Sequence, residues 1–315
     1  MSVAVAKDGE LVHAQAYGTT NPFTGAAASV DDRFRIASVS KTLLAVAVLR
    51  LVDEGKLALD QPVGDRLIGI LGTTPGDPAI ATITLRQLLS HTSGFAEYQR
   101  TFFGGDVSSC EEAAAAALRR PLVGAPGTVY GYSNLNYCLL GLLVEDVTGD
   151  SYEDVVQREV LDPLDIDDMR VAGTFDVRDG DVVHPTGQGR TFMEALGASG
   201  NWIGTATDLV KVIDAIDPAK PGAHPLGPSW LPEMTLRAPV TYPHVDSWYG
   251  LGLIVWDNGT AWGHTGTVES ARTMVFHRPD GITWSILVNG PSPSYSADLR
   301  KYMDKALATV TTWPA

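Results

Sequence analysis

The chain has 315 residues, a length that suits one large domain or two intertwined domains. Its 37 acidic residues outnumber the 23 basic ones, and the formal net charge of −14 repels phosphate backbones and anionic lipid surfaces. We therefore expect no nucleic-acid partner, and the lack of any apolar stretch of membrane-spanning length predicts no membrane insertion.

Both ends of the chain have the pattern of β-structure. Two short strand-like runs, 2–6 and 11–17, are joined by Asp8-Gly9, a typical hairpin signal. Further strands are predicted near the other end, at 248–256, 261–267, 271–277 and 282–289. A closing helix is predicted over 296–310.

The first residues carry no basic region followed by an apolar run, so no signal peptide is expected in the chain. This fits a cytoplasmic protein, or an exported one whose leader has been removed.

The middle of the chain has helical patterns, at 41–51, 111–119, 135–147 and 208–216. The first of these is apolar nearly all round, which predicts a buried helix. Strands joined by hairpins form antiparallel sheets, and a helical region inserted between two halves of one sheet is the simplest architecture. We predict a sheet domain from 1–60 and 245–315, and an inserted, mainly helical domain from 61–244.

Two cysteines, Cys110 and Cys138, lie too far apart in sequence for a C-x-x-C motif and lack metal-ligand spacing. Cys138 lies in an apolar run, which favours a buried thiol. A disulfide between the two remains open. No cofactor and no metal site are indicated.

The first candidate for chemistry is Ser38-Val39-Ser40-Lys41, at the head of the predicted buried helix. Residues three apart share one helix face, so the Ser38 hydroxyl and the Lys41 amine can meet. A serine needs a base to take its proton, and a lysine in apolar surroundings can act as that base. An ordinary helix start with an exposed lysine is the alternative interpretation.

Two further patterns accompany it. Tyr132-Ser133-Asn134 follows a Pro-Gly turn, where Tyr132 can relay a proton and Asn134 can hold a substrate amide. The alternative is a capping Ser133 or Asn134 beside a packed tyrosine. His264-Thr265-Gly266-Thr267 ends a predicted strand, and its glycine allows close approach of backbone or ligand.

In this order and at these separations, the three patterns resemble the motifs of the serine β-lactamase and penicillin-binding protein superfamily. The branch of class C β-lactamases, serine D-alanyl-D-alanine carboxypeptidases and related esterases is the most similar. Flanking segments that share the resemblance are Phe-Arg-Ile-Ala at 34–37, Leu-Ser-His-Thr-Ser-Gly at 89–94, Pro-Gly-Thr at 126–128 and Tyr-Gly-Leu-Gly-Leu at 249–253. The resemblance implies an α/β (α+β) fold with a five-stranded antiparallel sheet, flanking helices and an inserted helical domain.

The resemblance also implies roles for the motif residues. Ser38 is expected to become acylated, and Lys41 and Tyr132 to move the proton. Asn134 is expected to orient the acyl side of a small-molecule or short-peptide substrate. His264 and Thr265 are expected to line the leaving-group side, beside Gly266. The backbone N–H groups of Ser38 and Thr267 are expected to form the oxyanion hole. His91-Thr92-Ser93-Gly94 is expected to be a structural turn.

Two questions stay open in the sequence. One is whether the chain turns over substrate or is a catalytically silent receptor or scaffold with the same fold. The other is the substrate, because carboxypeptidases of the most similar type can carry an arginine where this chain has Ile254. Without that cation we expect weak β-lactamase activity and efficient ester or amide hydrolysis, unless a protonated His264 or Arg272 supplies the charge. We expect Arg272 to lie on the opposite strand face from Thr267.

Overall fold

The computed structural model describes residues 1–187 and 189–313. The strands are β1 (Ser2–Lys7), β2 (Glu10–Ala16), β3 (Phe34–Arg35), β4 (Arg170–Val171), β5 (Trp202–Gly204), β6 (Trp248–Tyr249), β7 (Ile254–Trp256), β8 (Ala261–Val268), β9 (Ala271–His277) and β10 (Ile282–Val288). The α-helices are α1 (Ser40–Asp53), α2 (Gly64–Leu71), α3 (Leu85–Leu89), α4 (Gln99–Phe103), α5 (Cys110–Leu118), α6 (Asn134–Thr148), α7 (Tyr152–Val156), α8 (Phe192–Leu196), α9 (Ala206–Asp214), α10 (Trp230–Met234) and α11 (Asp298–Leu307). Each helix predicted from the sequence is present, with ends shifted by a few residues.

The main sheet is antiparallel and runs in the order β2-β1-β10-β9-β8-β7-β6. The predicted antiparallel sheet with flanking helices is therefore confirmed, although it has seven strands within the described residues rather than five. The five long strands have six to eight residues, whereas β6 and β7 have only two and three. The two short strands extend the sheet at one edge, beside β8.

The prediction of one strand over 248–256 is wrong, because the chain turns back between β6 and β7, which pair with each other as an antiparallel hairpin. Gly252 has a φ of +78° and lies directly against α1, where an added Cβ would meet the Ala45 Cβ at 2.2 Å. Its carbonyl accepts a hydrogen bond of 2.8 Å from the Thr42 hydroxyl. Gly252 thus lies in the hairpin loop, which packs onto α1.

One large apolar core surrounds helix α1. Helix α1 is buried from Ser40 to Leu49, as its nearly uniform apolar sequence predicts, and α6 packs beside it. Helix α9 lies on the sheet, where the Ser285 hydroxyl on β10 donates to the Ala206 carbonyl. Because α9 falls within the span 61–244, the proposed boundary between a sheet domain and an inserted helical domain stays a prediction.

The cysteines are joined, so the expectation of a buried free thiol at Cys138 is wrong. Cys110 and Cys138 form a disulfide between the first residue of α5 and the first turns of α6. The bond ties a separate helix to the helix that begins at Asn134. Among residues 1–187 and 189–313, no helix is long and apolar enough to cross a membrane.

Candidate active site

The candidate nucleophile lies on a tight turn just before α1. Residues Ala37–Val39 form one turn of 3-10 helix, and α1 begins at Ser40. Ala37 has a φ of +50°, a left-handed conformation that is unfavourable for alanine. The preceding strand β3 is fixed by its pairing with β5. Because the turn is held from both sides, Ser38 is presented at the mouth of a cleft of about 580 Å³.

Lys41 lies beneath Ser38 and is completely buried. Its Nζ is 3.1 Å from the Ser38 Oγ, 2.9 Å from the Asn134 Oδ1 and 2.7 Å from the Ser199 carbonyl oxygen. The amide and carbonyl oxygens can only accept, whereas the serine hydroxyl can also donate. A neutral amine therefore satisfies all three contacts by donating to the two carbonyl oxygens and accepting the Ser38 proton.

The surroundings of Lys41 favour this neutral form. None of the described acidic side chains forms an ion pair with its amine. The amine instead lies 5.1 Å from the centre of the Tyr132 ring. Burial without a counter-charge lowers the pKa of Lys41 well below its usual value of 10.5. The lysine is thus suited to take a proton rather than to hold one.

Tyr132 and Asn134 reach the same place from the start of α6. The loop before Asn134 is extended at Ser133, whose hydroxyl donates to the Ala96 carbonyl at 2.6 Å. Burial raises the pKa of Tyr132, and the adjacent Ser38 hydroxyl offsets only part of that rise. Tyr132 therefore keeps its proton at neutral pH, which makes it a donor rather than the initial base.

Strand β8 closes the opposite side of the cleft. Gly266 packs so tightly on the nucleophile turn that an added Cβ would lie 2.3 Å from the Ile36 oxygen and 3.2 Å from the Ser38 nitrogen. The backbone between Gly266 and Thr267 consequently runs beside the Ser38 N–H. Two backbone N–H groups next to one hydroxyl are an arrangement suited to a developing oxyanion.

His264 points inward from β8 and is neutral. Its Nε2 lies 2.9 Å from the Tyr249 hydroxyl, and its Nδ1 lies 2.6 Å from the Thr265 carbonyl oxygen. Burial is the main reason that the pKa of His264 falls to about 3. His264 thus carries no positive charge into the cleft at neutral pH.

Arg272 lies on the same face as Thr267, so the expectation of opposite faces is wrong. The two residues are register partners across β8 and β9, and cross-strand partners point to one side. The Arg272 guanidinium nevertheless makes its hydrogen bonds to backbone carbonyl oxygens, those of Pro291, Pro293, Ser294, Val268 and Ala271, at 2.8 to 3.4 Å. Arg272 also lines the cleft, but these carbonyl oxygens engage its N–H groups.

The cleft brings together residues from distant parts of the chain. Its lining includes six of the eight predicted site residues, namely Ser38, Tyr132, Asn134, His264, Thr265 and Thr267. Lys41 and Gly266 lie directly beneath this lining. Sequence reasoning missed the Ser199 carbonyl that bonds Lys41, and two acidic residues of the lining, Glu97 and Glu269. A backbone carbonyl group leaves no signature in the sequence. Isolated acidic residues cannot be told apart from those of any solvent-exposed loop.

Comparison with known proteins agrees with this geometry. The Beta-lactamase family model matches residues 1–308, and the chain therefore belongs to the β-lactamase family. It is a serine hydrolase of the superfamily that also contains penicillin-binding proteins, as the fold and the three motifs suggested.

Three relatives illustrate the range of the family. Penicillin-binding protein 4 from Amycolatopsis lactamdurans is 29% identical, over 98% of this chain and 86% of its own. Esterase EstB from Burkholderia gladioli is 30% identical, over 72% of each chain. The crystal structure of a D-stereospecific amidohydrolase from Streptomyces sp. is similar with a TM-score of 0.72 and 25% identity, over 91% of this chain and 88% of its own.

We predict that Gly266→Ala lowers kcat/KM for p-nitrophenyl acetate by about 100-fold, because its methyl group must displace the backbone that carries Ser38. Gly69→Ala is the matched control, since an added Cβ on this helical residue has no heavy atom within 4 Å. The control should keep full activity and gain slightly in melting temperature. Normal activity in Gly266→Ala would show that the close approach of β8 is not needed.

Proposed function

We propose that the protein hydrolyses small neutral esters and amides through an acyl-enzyme on Ser38. The observation that carries this proposal is the completely buried Lys41 amine, 3.1 Å from the Ser38 Oγ and without an acidic partner. A nucleophile and a neutral base at this distance are the minimum that acyl transfer needs.

The contacts of Lys41 support a proton route. Lys41 takes the Ser38 proton as the hydroxyl oxygen attacks the carbonyl carbon of the substrate. The N–H groups of Ser38 and Thr267 stabilise the resulting oxyanion. Tyr132, which keeps its proton, donates it to the leaving alcohol or amine and is reprotonated from Lys41. Water then attacks the acyl-enzyme by the reverse sequence of proton transfers, which releases the acid and restores Ser38.

Asn134 serves two purposes in this scheme. Its Oδ1 accepts a hydrogen bond from Lys41 at 2.9 Å, which leaves its Nδ2 group to bind a carbonyl on the acyl side of the substrate. His264 and Thr265 lie on the opposite, leaving-group side. There the imidazole faces inward, bonds the Tyr249 hydroxyl and presents an uncharged wall to the cleft.

The charges in the cleft support a neutral substrate over a carboxylate. Ile254 lines the wall where a cationic anchor would be needed, and His264 is neutral. Glu97 and Glu269 add negative charge to the lining. Arg272 also lines the cleft, but backbone carbonyl oxygens engage its N–H groups, so a carboxylate that enters gives up hydration without a freely available partner, which is costly. The relatives named for ester and D-amide hydrolysis fit the same substrate range.

Ser38→Ala should abolish labelling by a fluorophosphonate and lower p-nitrophenyl acetate hydrolysis on the order of 10³-fold or more. Ser40→Ala is the matched control, because the buried Ser40 hydroxyl donates to the Ala37 carbonyl and is not free to attack. The control should still label, with reduced thermal stability. Labelling of Ser38→Ala, or an inert wild-type protein, would contradict the proposal; the inert protein would favour a silent receptor.

A second expectation concerns pH. Since Lys41 must be neutral to act, kcat/KM for a neutral ester should fall as the pH drops through the pKa of Lys41, and should level off well below 10.5. His264, with a pKa of about 3, does not titrate in this range. Lys41→Arg should lose the activity. An inflection near 10.5 in the wild-type profile would mean that Lys41 is charged in the resting enzyme.

The third expectation concerns specificity. A peptide ending in D-Ala-D-Ala should have a kcat/KM no higher than that of its C-terminal amide or methyl ester, and a chromogenic cephalosporin should be turned over weakly. Ile254→Arg should raise carboxylate turnover relative to the neutral counterpart by about 10-fold, whereas the control Ile254→Leu should not. A carboxylate preferred by the wild type by more than about 100-fold would contradict this assignment.

A further inference from the structure

A buried histidine next to the cleft makes contacts that a simple turn does not require. His91 is completely buried, and its backbone has a φ of +56°. Its ring lies 4.3 Å from the ring of Tyr132 and 4.4 Å from that of Tyr249, measured between ring centres. Tyr249 in turn bonds His264, so His91 lies between the two walls of the cleft.

The hydrogen bonds of His91 fix its tautomer. The Ser133 backbone N–H donates to the His91 Nδ1 at 3.2 Å, and the Asn136 side-chain amide lies 2.9 Å from the same nitrogen. The Ser93 hydroxyl donates to the Asn136 Oδ1 at 2.7 Å, which turns the NH₂ group of Asn136 toward His91. Since both neighbours can only donate, Nδ1 must be an unprotonated acceptor, and the ring proton lies on Nε2.

The accepted hydrogen bond lies at the point that sets the position of Tyr132. Ser133 follows Tyr132 and precedes Asn134, so its N–H belongs to the peptide unit that joins Tyr132 to the start of α6. The imidazole accepts a hydrogen bond from this peptide unit at Nδ1, and its ring packs against the Tyr132 ring. Buried groups that fix both backbone and ring leave the phenol little freedom.

We propose that His91 is a positioning residue, which holds Tyr132 for proton transfer to and from the Ser38 oxygen by accepting the Ser133 N–H and packing against the phenol ring. This role rests on the proposed acyl-enzyme function. His91 touches neither substrate nor the reacting atoms and acts only through Tyr132.

The structure offers a matched pair of variants. Asparagine places its side-chain oxygen near the position of Nδ1 and tolerates the left-handed backbone. Glutamine has similar polarity, but its oxygen lies one bond further out. His91→Gln should lower kcat for p-nitrophenyl acetate by about 10- to 100-fold with little change in KM, and His91→Asn should restore most of it.

A double-mutant cycle separates positioning from general damage. In a Tyr132→Phe background, His91→Gln should cost less than about 3-fold, because the group that it positions has already been removed. Equal losses in both backgrounds, or no advantage of Asn over Gln, would overturn the proposal. Melting temperatures of all variants show whether a loss reflects unfolding.

A spectroscopic measurement tests the same hydrogen bond without any turnover. The ¹⁵N shifts of the His91 ring should report the neutral Nε2–H tautomer throughout the range of about pH 5 to 9, in which an ordinary histidine titrates. An Nδ1–H tautomer or an imidazolium would overturn the proposal. If the wild-type protein hydrolyses no ester but shows this tautomer, the proposed function fails while the hydrogen bond to Ser133 stands.

Discussion

The whole site depends on one constraint, the burial of the Lys41 amine among neutral hydrogen-bonding groups. Lys41 has no acidic partner and is surrounded by the apolar residues of α1 and α6. Below pH 10.5 the unfolded chain carries this lysine charged, so folding must strip its proton or bury a charge, and either lowers the stability of the native state. The extensive apolar burial around α1 offsets this cost. The base is therefore maintained by the core, and activity and packing cannot be separated at this position.

Much of the site could be predicted from local patterns. The spacing of Ser38 and Lys41 predicted the contact that the structure contains, and turn signals placed Tyr132 and Asn134 just before a helix. The face of Arg272 was predicted wrongly because its side chain was assumed to follow the alternation of one continuous strand from Thr267. A tight turn with a left-handed Ser270 lies between β8 and β9, and it reverses the chain, so register partners face the same side.

Other features depend on contacts between segments that are distant in sequence, and local patterns do not reveal these contacts. Nothing in the residues around Gly252 shows that the chain will turn back there with α1 lying against it. The disulfide likewise needed α5 to lie on α6, and the apolar sequence around Cys138 alone favoured a buried free thiol. One hydrogen-bond acceptor of the Lys41 amine is the backbone carbonyl of Ser199, a group that any residue could supply. Local chemistry was thus predictable, and long-range packing was not.

The pairing of β1 with β10 has a consequence for how the protein is made. Ser2 lies opposite Leu287, so β1 leaves the ribosome well before the strand that covers one of its edges. Until then one edge of β1 is open, and open edges invite association with other chains. The order of synthesis also means that Ser38 meets β8 late, since Thr267 belongs to the same late segment. A nascent chain therefore carries Ser38 well before β8 can complete the cleft around it, and until then its unpaired strand edge leaves it prone to association.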